Sequence, residues 1–421
     1  MSSALPSYQE AAAVVAGCAA RLVERRPPVE CVGLDAASGR VLAQPLCADS
    51  DQPPFTRSTR DGFACRAAEV STHEFLPIAG ATRAGEAPAG PLPPRAAWEI
   101  MTGAPVPAGA DAVVMIEHVE VSEGRIRLLP SRKISEGENI VAQGAQARQG
   151  DELLAAGTAI TYAQIALAAS CGYSALDVFQ RPRVAILATG DELVSVDSAP
   201  AAGQIRNSNA PMLAAMVAAA GGEPWVLPTA ADRAESLDGA LAEAARADML
   251  LISGGVSAGK FDLVEPALAR AGALFHFTGV RIQPGKPLVF GELPVRNART
   301  IVNGMKCFFG LPGNPVSSAV TFLLFAAPVL AALAGSRECG PRFVLARLSE
   351  ETDRRAKPGL TRFLPAHCNF NPPAGQLPEV ALVPWQGSGD LAALARSNCF
   401  LVIPEETAGL SAGETVRILL W

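Results

Sequence analysis

Between residues 182 and 334 the chain repeats one pattern: a short apolar run, a glycine-rich loop, then a stretch with helical periodicity. VAILA leads into Thr189-Gly190-Asp191-Glu192, followed by helical periodicity over 209–221. WVLP precedes a second helical stretch at 232–246, and MLLIS runs into GGVSAG before a third at 261–271. ALFHFTGV, RIQPGKP and PLVFG follow, and CFFGLPGNP opens a long helix from Val316. Strand and helix units alternating at this length predict a doubly wound, mostly parallel α/β sheet with helices on both faces.

The flanks have a different texture. Residues 7–25 predict a helix with Ser7 as N-cap, stopped by Pro27-Pro28. From 48 to 145 short apolar runs are cut by Pro and Gly, as in a β-rich inserted domain, and helical periodicity returns at 161–173. The two flanking helices predict one helical module, residues 1–47 and 146–178, interrupted by that insertion. The α/β domain then covers 179–334. Short strands near 343–349, 361–371, 379–383, 398–403 and 415–420 predict a small C-terminal β-barrel at 335–421. The 421 residues suit a multidomain α/β plus β protein of this kind.

Composition excludes several classes. A net charge of −6 without a basic run argues against nucleic acid as a partner. The longest apolar run, 322–334, is shorter than the roughly 20 residues that span a bilayer and contains Pro328, so no membrane segment is expected. The N-terminus lacks the basic start of a signal peptide. Nine cysteines lie far apart without a CxxC pair, which predicts neither a zinc cage nor a disulfide framework and points to a reducing, cytoplasmic compartment. Among four histidines, His367 beside Cys368 is the only close pair of metal-binding types.

Chemistry is expected in the loops. Ligands of open α/β sheets bind beyond the carboxyl ends of the strands, where helix N-termini present unpaired amides. Four such loops stand out: Thr189 to Glu192, Ser253-Gly254-Gly255 with Ser257, Pro284-Gly285-Lys286-Pro287, and Pro312-Gly313-Asn314-Pro315. Glycine lets backbone approach an anion, Ser and Thr add hydroxyl donors, and Lys286 supplies a charge. Asn314 as N-cap with Pro315 at the first helical position would direct a helix dipole at the same crevice. These features predict a phosphate-bearing ligand. The acids Asp191, Glu192, Asp232 and Asp262 would repel such a ligand unless a hard cation such as Mg²⁺ bridges them.

In this order the loops resemble the molybdopterin molybdenumtransferase family, which includes bacterial MoeA proteins and the E domain of gephyrin. The resemblance extends to Pro54-Phe55 with Ser58-Thr59-Arg60-Asp61-Gly62-Phe63-Ala64, to Ile100-Met101-Thr102-Gly103-Ala104-Pro105-Val106-Pro107, to Gly203-Gln204-Ile205 with Asn209, and to Gly387-Ser388 with Asn398-Cys399-Phe400. It implies a transferase that inserts molybdate into adenylylated molybdopterin and releases AMP, assisted by Mg²⁺ or another divalent cation. It also implies a homodimer whose cleft lies between the α/β domain of one subunit and the β domains of the other. A molybdopterin-adenylylating enzyme and recipient molybdoenzymes would be partners. Carried onto this chain, Asp61, Thr102, Glu192, Asp262, Lys286 and Ser388 would be catalytic. Thr189, Gly190, Asp191, Ser253, Gly254, Gly255, Ser257, Pro284, Gly285, Pro312, Gly313, Asn314 and Pro315 would bind the pterin and nucleotide, and Asp61, Asp191 and Glu192 the metal.

The chain departs from the family pattern at Val141, Gln146, Gln283 and Leu360, removing cations and acids. Each lost charged contact is worth about 1.5–3 kcal/mol. Arg57, Arg60, Arg206, Lys260 and Arg362 stand in or beside the motifs as replacements. A second reading follows from these departures: a paralogue that binds or delivers the cofactor without inserting metal.

Overall fold

The computed structural model describes residues 5–24, 27–255, 263–294, 304–352 and 359–421. Ser257, Lys260 and Asp262 of the expected site lie outside them. The chain divides into two compact units, one of residues 44–156 with 162–174, the other comprising the remainder.

In the larger unit, helix α1 (Tyr8–Val23) begins as the sequence dictates. The Ser7 hydroxyl accepts from the Glu10 amide at 3.2 Å, and the Glu10 carboxylate accepts from the Ser7 amide at 2.7 Å, a reciprocal cap. Its apolar stripe, Ala11, Val15, Cys18, Ala19 and Leu22, is buried in the α/β core. Residues 162–174, predicted to share a module with this helix, are assigned to the other compact unit. The α1 stripe matches the sheet's apolar face and is consumed there.

The central sheet contains β1 (Arg183–Ala188), β2 (Glu223–Val226), β3 (Met249–Ser253), β4 (Leu274–Phe277), β5 (Val289–Pro294) and β6 (Met305–Leu311), ordered β2-β1-β3-β6-β5-β4. The first four in that order are parallel, and β5 runs antiparallel to both neighbours. Alternate residues feed opposite cores: Val184, Ile186, Met249 and Leu251 on one face, Ala185, Leu187, Leu250 and Ile252 on the other. With both faces covered, such strands read as unbroken apolar runs. Each fully buried Leu or Ile contributes about 1.5–3 kcal/mol.

Helices α2 (Asn209–Ala219), α3 (Ala234–Ala244), α4 (Val264–Arg270) and α5 (Pro315–Leu333) cover the sheet. The last is apolar and long enough to cross a bilayer, but 83% of its apolar window is buried within the protein. Pro328, expected to interrupt it, is accommodated by a π-turn over Phe322–Ala326, in which the Ala327 amide reaches back to the Phe322 carbonyl. The wider turn relieves the clash of the proline ring with the preceding carbonyls.

Five strands, Phe343–Leu348, Thr361–Asn369, Glu379–Leu382, Cys399–Ile403 and Thr415–Leu420, close the C-terminal barrel as predicted. Ile282–Gln283 adds in parallel to Thr361–Arg362. Cys399, Leu401 and Ile403 fill the barrel, while the alternate Phe400 and Val402 pack into the α/β core. A short helix, Leu391–Arg396, appears where only strands were expected. In the smaller unit, a six-stranded sheet ordered Ala112–Met115, Gly62–Cys65, Ala97–Ile100, Leu76–Thr82, Arg125–Leu128, Val119–Ser122 accounts for the predicted β-rich texture.

Candidate active site

Loops after β1, β3 and β6 meet at the carboxyl edge of the sheet, where a crevice of about 1210 Å³ opens. Thr189, Gly190, Glu192, Ser253, Gly254, Gly255, Pro284, Gly285, Lys286, Pro312, Gly313, Asn314, Pro315 and Ser388 all line it. The four loops chosen from the sequence are thus one site. Strand order explains why: β1, β3 and β6 are parallel neighbours, so their following loops emerge side by side.

The loops are locked at short range. Gly254 sits at φ +91°, and a Cβ there would lie 2.7 Å from the Thr189 carbonyl oxygen. Only glycine permits this approach. The Gly254 amide donates to the Leu311 carbonyl at 3.2 Å and the Gly190 amide to Ala230 at 3.4 Å. These two amides tie neighbouring strand-loop units together and are not free to donate to a ligand.

Asn209, at the start of α2, holds the centre. Its Nδ2 donates to Ser253 Oγ at 2.8 Å and to the Gly313 carbonyl at 2.7 Å. Asn209 Oδ1 and Thr189 Oγ1 are buried with no hydrogen-bond partner within the protein. Both residues line the crevice. An unpaired buried polar atom costs about 1–3 kcal/mol, so a site keeps one where a ligand completes it. In the sequence Asn209 stands out only beside Gly203-Gln204-Ile205; its place at the start of α2 is what aims it between two loops.

Asn314 does cap α5, with Pro315 at the first position, but its side chain makes no bond to the helix. It donates instead to Ser388 Oγ at 2.8 Å, and the Ser388 carbonyl accepts from the Val316 amide at 3.0 Å. Ser388 thereby reaches the crevice from the barrel. Asp390 shapes its loop, accepting from the Gln386 amide at 3.0 Å and the Ala393 amide at 2.9 Å, bonds that hold its carboxyl below the usual range. Trp385 of the same loop lines the crevice, a residue that carried no motif signal.

Charge in the crevice is mixed. Among the described lining residues the cations are Arg206 and Lys286, and the acids Glu192 and Asp232. Asp191 lies beside them, accepting from the Asp232 amide at 3.1 Å. Burial, then the neighbouring Asp191 and Glu192, push the Asp232 carboxyl up. Of the expected replacement cations, Arg206 reaches the crevice, whereas Arg362 is 5% exposed and donates to the Thr407 and Ala408 carbonyls inside the barrel. Gln283 and Leu360, two of the departures, line the crevice.

In the smaller unit the register Gly62↔Ile100 places Asp61 and Thr102 just beyond paired strand ends. Asp61 Oδ1 accepts from the Thr102 amide at 2.6 Å and its hydroxyl at 2.8 Å, and these bonds lower the Asp61 carboxyl below its ordinary range. The pair is exposed.

Three family models match in sequence order: the MoeA N-terminal region (domain I and II) over residues 6–172, a probable molybdopterin binding domain over 185–332, and the MoeA C-terminal region (domain IV) over 346–421. A molybdopterin molybdenumtransferase from a Nostoc species is 34% identical, the match covering 99% of this chain and 94% of the relative. One from Haemophilus influenzae is 33% identical over 94% and 96%. A crystal structure of the molybdopterin biosynthesis MoeA protein from Pyrococcus horikoshii OT3 superposes with a TM-score of 0.77 at 27% identity, covering 99% of this chain and all of that one. The chain belongs to the molybdopterin molybdenumtransferase family.

Proposed function

We propose that this chain acts as a transferase in molybdenum cofactor biosynthesis, inserting molybdate into adenylylated molybdopterin and releasing AMP. The observation that carries this reading is the crevice at the carboxyl edge of β1, β3 and β6, where Thr189 Oγ1 and Asn209 Oδ1 are buried without partners beside Arg206 and Lys286. Its volume suits a large, multiply charged ligand. Thr189 would donate to a phosphate or oxyanion, Asn209 Oδ1 would accept from a pterin or purine N–H, and the two cations would balance phosphate charge. Ser388, held by Asn314, offers a hydroxyl from the barrel side. Curated relatives of closely similar length carry the transferase name, which favours this reading over a cofactor-delivery scaffold.

Asp191, Glu192 and Asp232 are the crevice acids that would hold a hard divalent cation such as Mg²⁺; burial, then the neighbouring Asp191 and Glu192, raises the Asp232 carboxyl. When bound, that cation would neutralise phosphate charge. Asp61, kept ionised by Thr102, is proposed as a second catalytic carboxylate supplied within a homodimer acting in the cytoplasm. An adenylylating enzyme upstream and apo-molybdoenzymes downstream are the proposed partners.

Purified protein supplied with adenylylated molybdopterin, Mg²⁺ and molybdate should release AMP in step with metal incorporation. Asp61→Asn should reduce turnover by at least about a hundredfold, as expected for loss of a catalytic carboxylate. AMP release independent of molybdate, or full turnover in Asp61→Asn, would overturn the assignment.

A further inference from the structure

Apart from the crevice lining, a second cluster of chemistry-bearing side chains lies where α1 packs on the sheet. Antiparallel pairing sets Glu292 on β5 directly opposite Cys307 on β6. Cys18 of α1 lies over them, its Sγ 3.1 Å from Cys307 Sγ and 4.0 Å from Glu292 Oε1. The three ligand atoms all lie within 4.8 Å of one another. His276, from the bulged strand β4, places Nε2 3.1 Å from Glu292 Oε2, and Arg21 places Nη2 3.6 Å from Oε1.

We infer that Cys18, Cys307 and Glu292 form a binding site for a thiophilic divalent cation, zinc being the fitting ion. Two sulfurs and a carboxylate oxygen are a zinc donor set, and the soft thiolates select against Mg²⁺ and Ca²⁺. With Zn–S bonds of about 2.3 Å, tetrahedral sulfurs stand about 3.8 Å apart, so the pair need open only slightly. Two thiolates and one carboxylate carry three negative charges against the ion's two positive charges, and the Arg21 guanidinium supplies the remainder. The two thiols shed their protons to solvent on binding. His276 acts as a positioning residue, fixing the carboxylate through its other oxygen. The fourth position is left to water.

Burial gives the site a seat and an entrance. Cys18 and Cys307 are 2% and 3% exposed, whereas the Glu292 and His276 side chains are 12% and 23% exposed, so the ion enters from the carboxylate side. A disulfide between the cysteines would account for the sulfur contact alone. It would leave the convergence of Glu292, His276 and Arg21 without a role. The bound ion would staple α1 to β5 and β6, adding to the apolar packing and the Arg21–Glu292 pair that already hold it there.

The test uses the full-length protein, reduced, stripped of metal and titrated with Co²⁺ as the probe. One equivalent should bind with a sulfur-to-cobalt charge-transfer band, Zn²⁺ should displace it, and Zn²⁺ should raise the Tm. Cys18→Ser and Cys307→Ser should abolish the band, while Cys368→Ser, a buried thiol inside the barrel, should keep it. Should the two core variants fail to fold, the partly exposed Glu292 and His276 decide. Zn²⁺ affinity should fall at least about tenfold in Glu292→Gln and about 10- to 100-fold in His276→Gln. Absence of the band in the wild-type protein, a band undiminished in Cys18→Ser, or unchanged affinity in Glu292→Gln would overturn the site. So would a Cys18–Cys307 disulfide in protein that takes up no metal after reduction.

Discussion

Lys306 illustrates how one residue's surroundings set a property of the whole chain. It is 4% exposed on β6, with its ammonium donating to the carbonyls of Ala244, the last residue of α3, and of Ala247 just beyond it. Burial pushes its pKa down to about 8, against a smaller upward pull from Asp248. The folded chain thus sheds this proton near pH 8, while the unfolded lysine keeps it to about pH 10.4. Between those values the unfolded state binds more protons, so this group's contribution to stability rises with pH by about 3 kcal/mol in all. Cys65 and Cys399, both pushed up to about 12 by burial, act oppositely above about pH 9, where their unfolded thiols ionise first. Comparing wild type with Lys306→Met cancels the thiols. The variant's unfolding free energy minus that of wild type, measured by urea titration, should decline between about pH 7 and pH 10. A flat difference would show that Lys306 is not buried in charged form. Asn209 makes a different prediction, since it holds Ser253 and Gly313 together. Asn209→Ala should lower kcat/KM for AMP release by about 10- to 100-fold through misplaced loops, with the far-UV circular dichroism unchanged.

The loops and helices of the crevice were legible in the sequence because each follows from local chemistry. A proline after Asn314 starts α5, and Ser7 with Glu10 starts α1. Glycines at 254 and 255 directly follow the apolar run of β3, which ends at Ser253. Their contacts were not legible. Gly254 is required by the Thr189 carbonyl, which belongs to a different strand-loop unit. Gly254→Ala would force that contact apart and strain a positive φ, at a cost of about 1–3 kcal/mol in stability. It should weaken nucleotide binding, measured by calorimetry with AMP, more than a matching change at the unhindered Gly239 of α3. Two loop amides are spent within the protein for the same reason. Gly190 and Gly254 have exposed-looking sequences, but adjacent strands claim their N–H groups.

At the scale of the molecule, the barrel and the α/β domain share a core. Phe363, Phe400, Val402 and Leu419 of the barrel strands are buried among residues of α1, α5 and the sheet. Phe400→Ala should therefore cost about 3–5 kcal/mol and reduce the cooperativity of thermal unfolding, as two packed domains separate. A loss confined to the barrel signal, with the α/β transition unmoved, would contradict this coupling. The four regions read from the sequence were drawn at changes of texture. In the structure α1, the α/β domain and the barrel fall within one compact unit and share a core, because apolar stripes pair by complementarity and not by proximity along the chain.

The sequence by itself determined the α/β repeat, the five barrel strands and the cap positions, all of which rest on interactions within a few residues or on a strand's fixed place before its loop. Tertiary structure alone decided which polar groups stay unpaired at Thr189 and Asn209, that Arg362 is spent inside the barrel, and that Cys18 meets Cys307 across 289 residues of chain. The physical reason is range. Propensity and periodicity act over one or two turns, whereas hydrogen-bond satisfaction, desolvation and metal-ligand convergence depend on whatever the fold brings within about 4 Å.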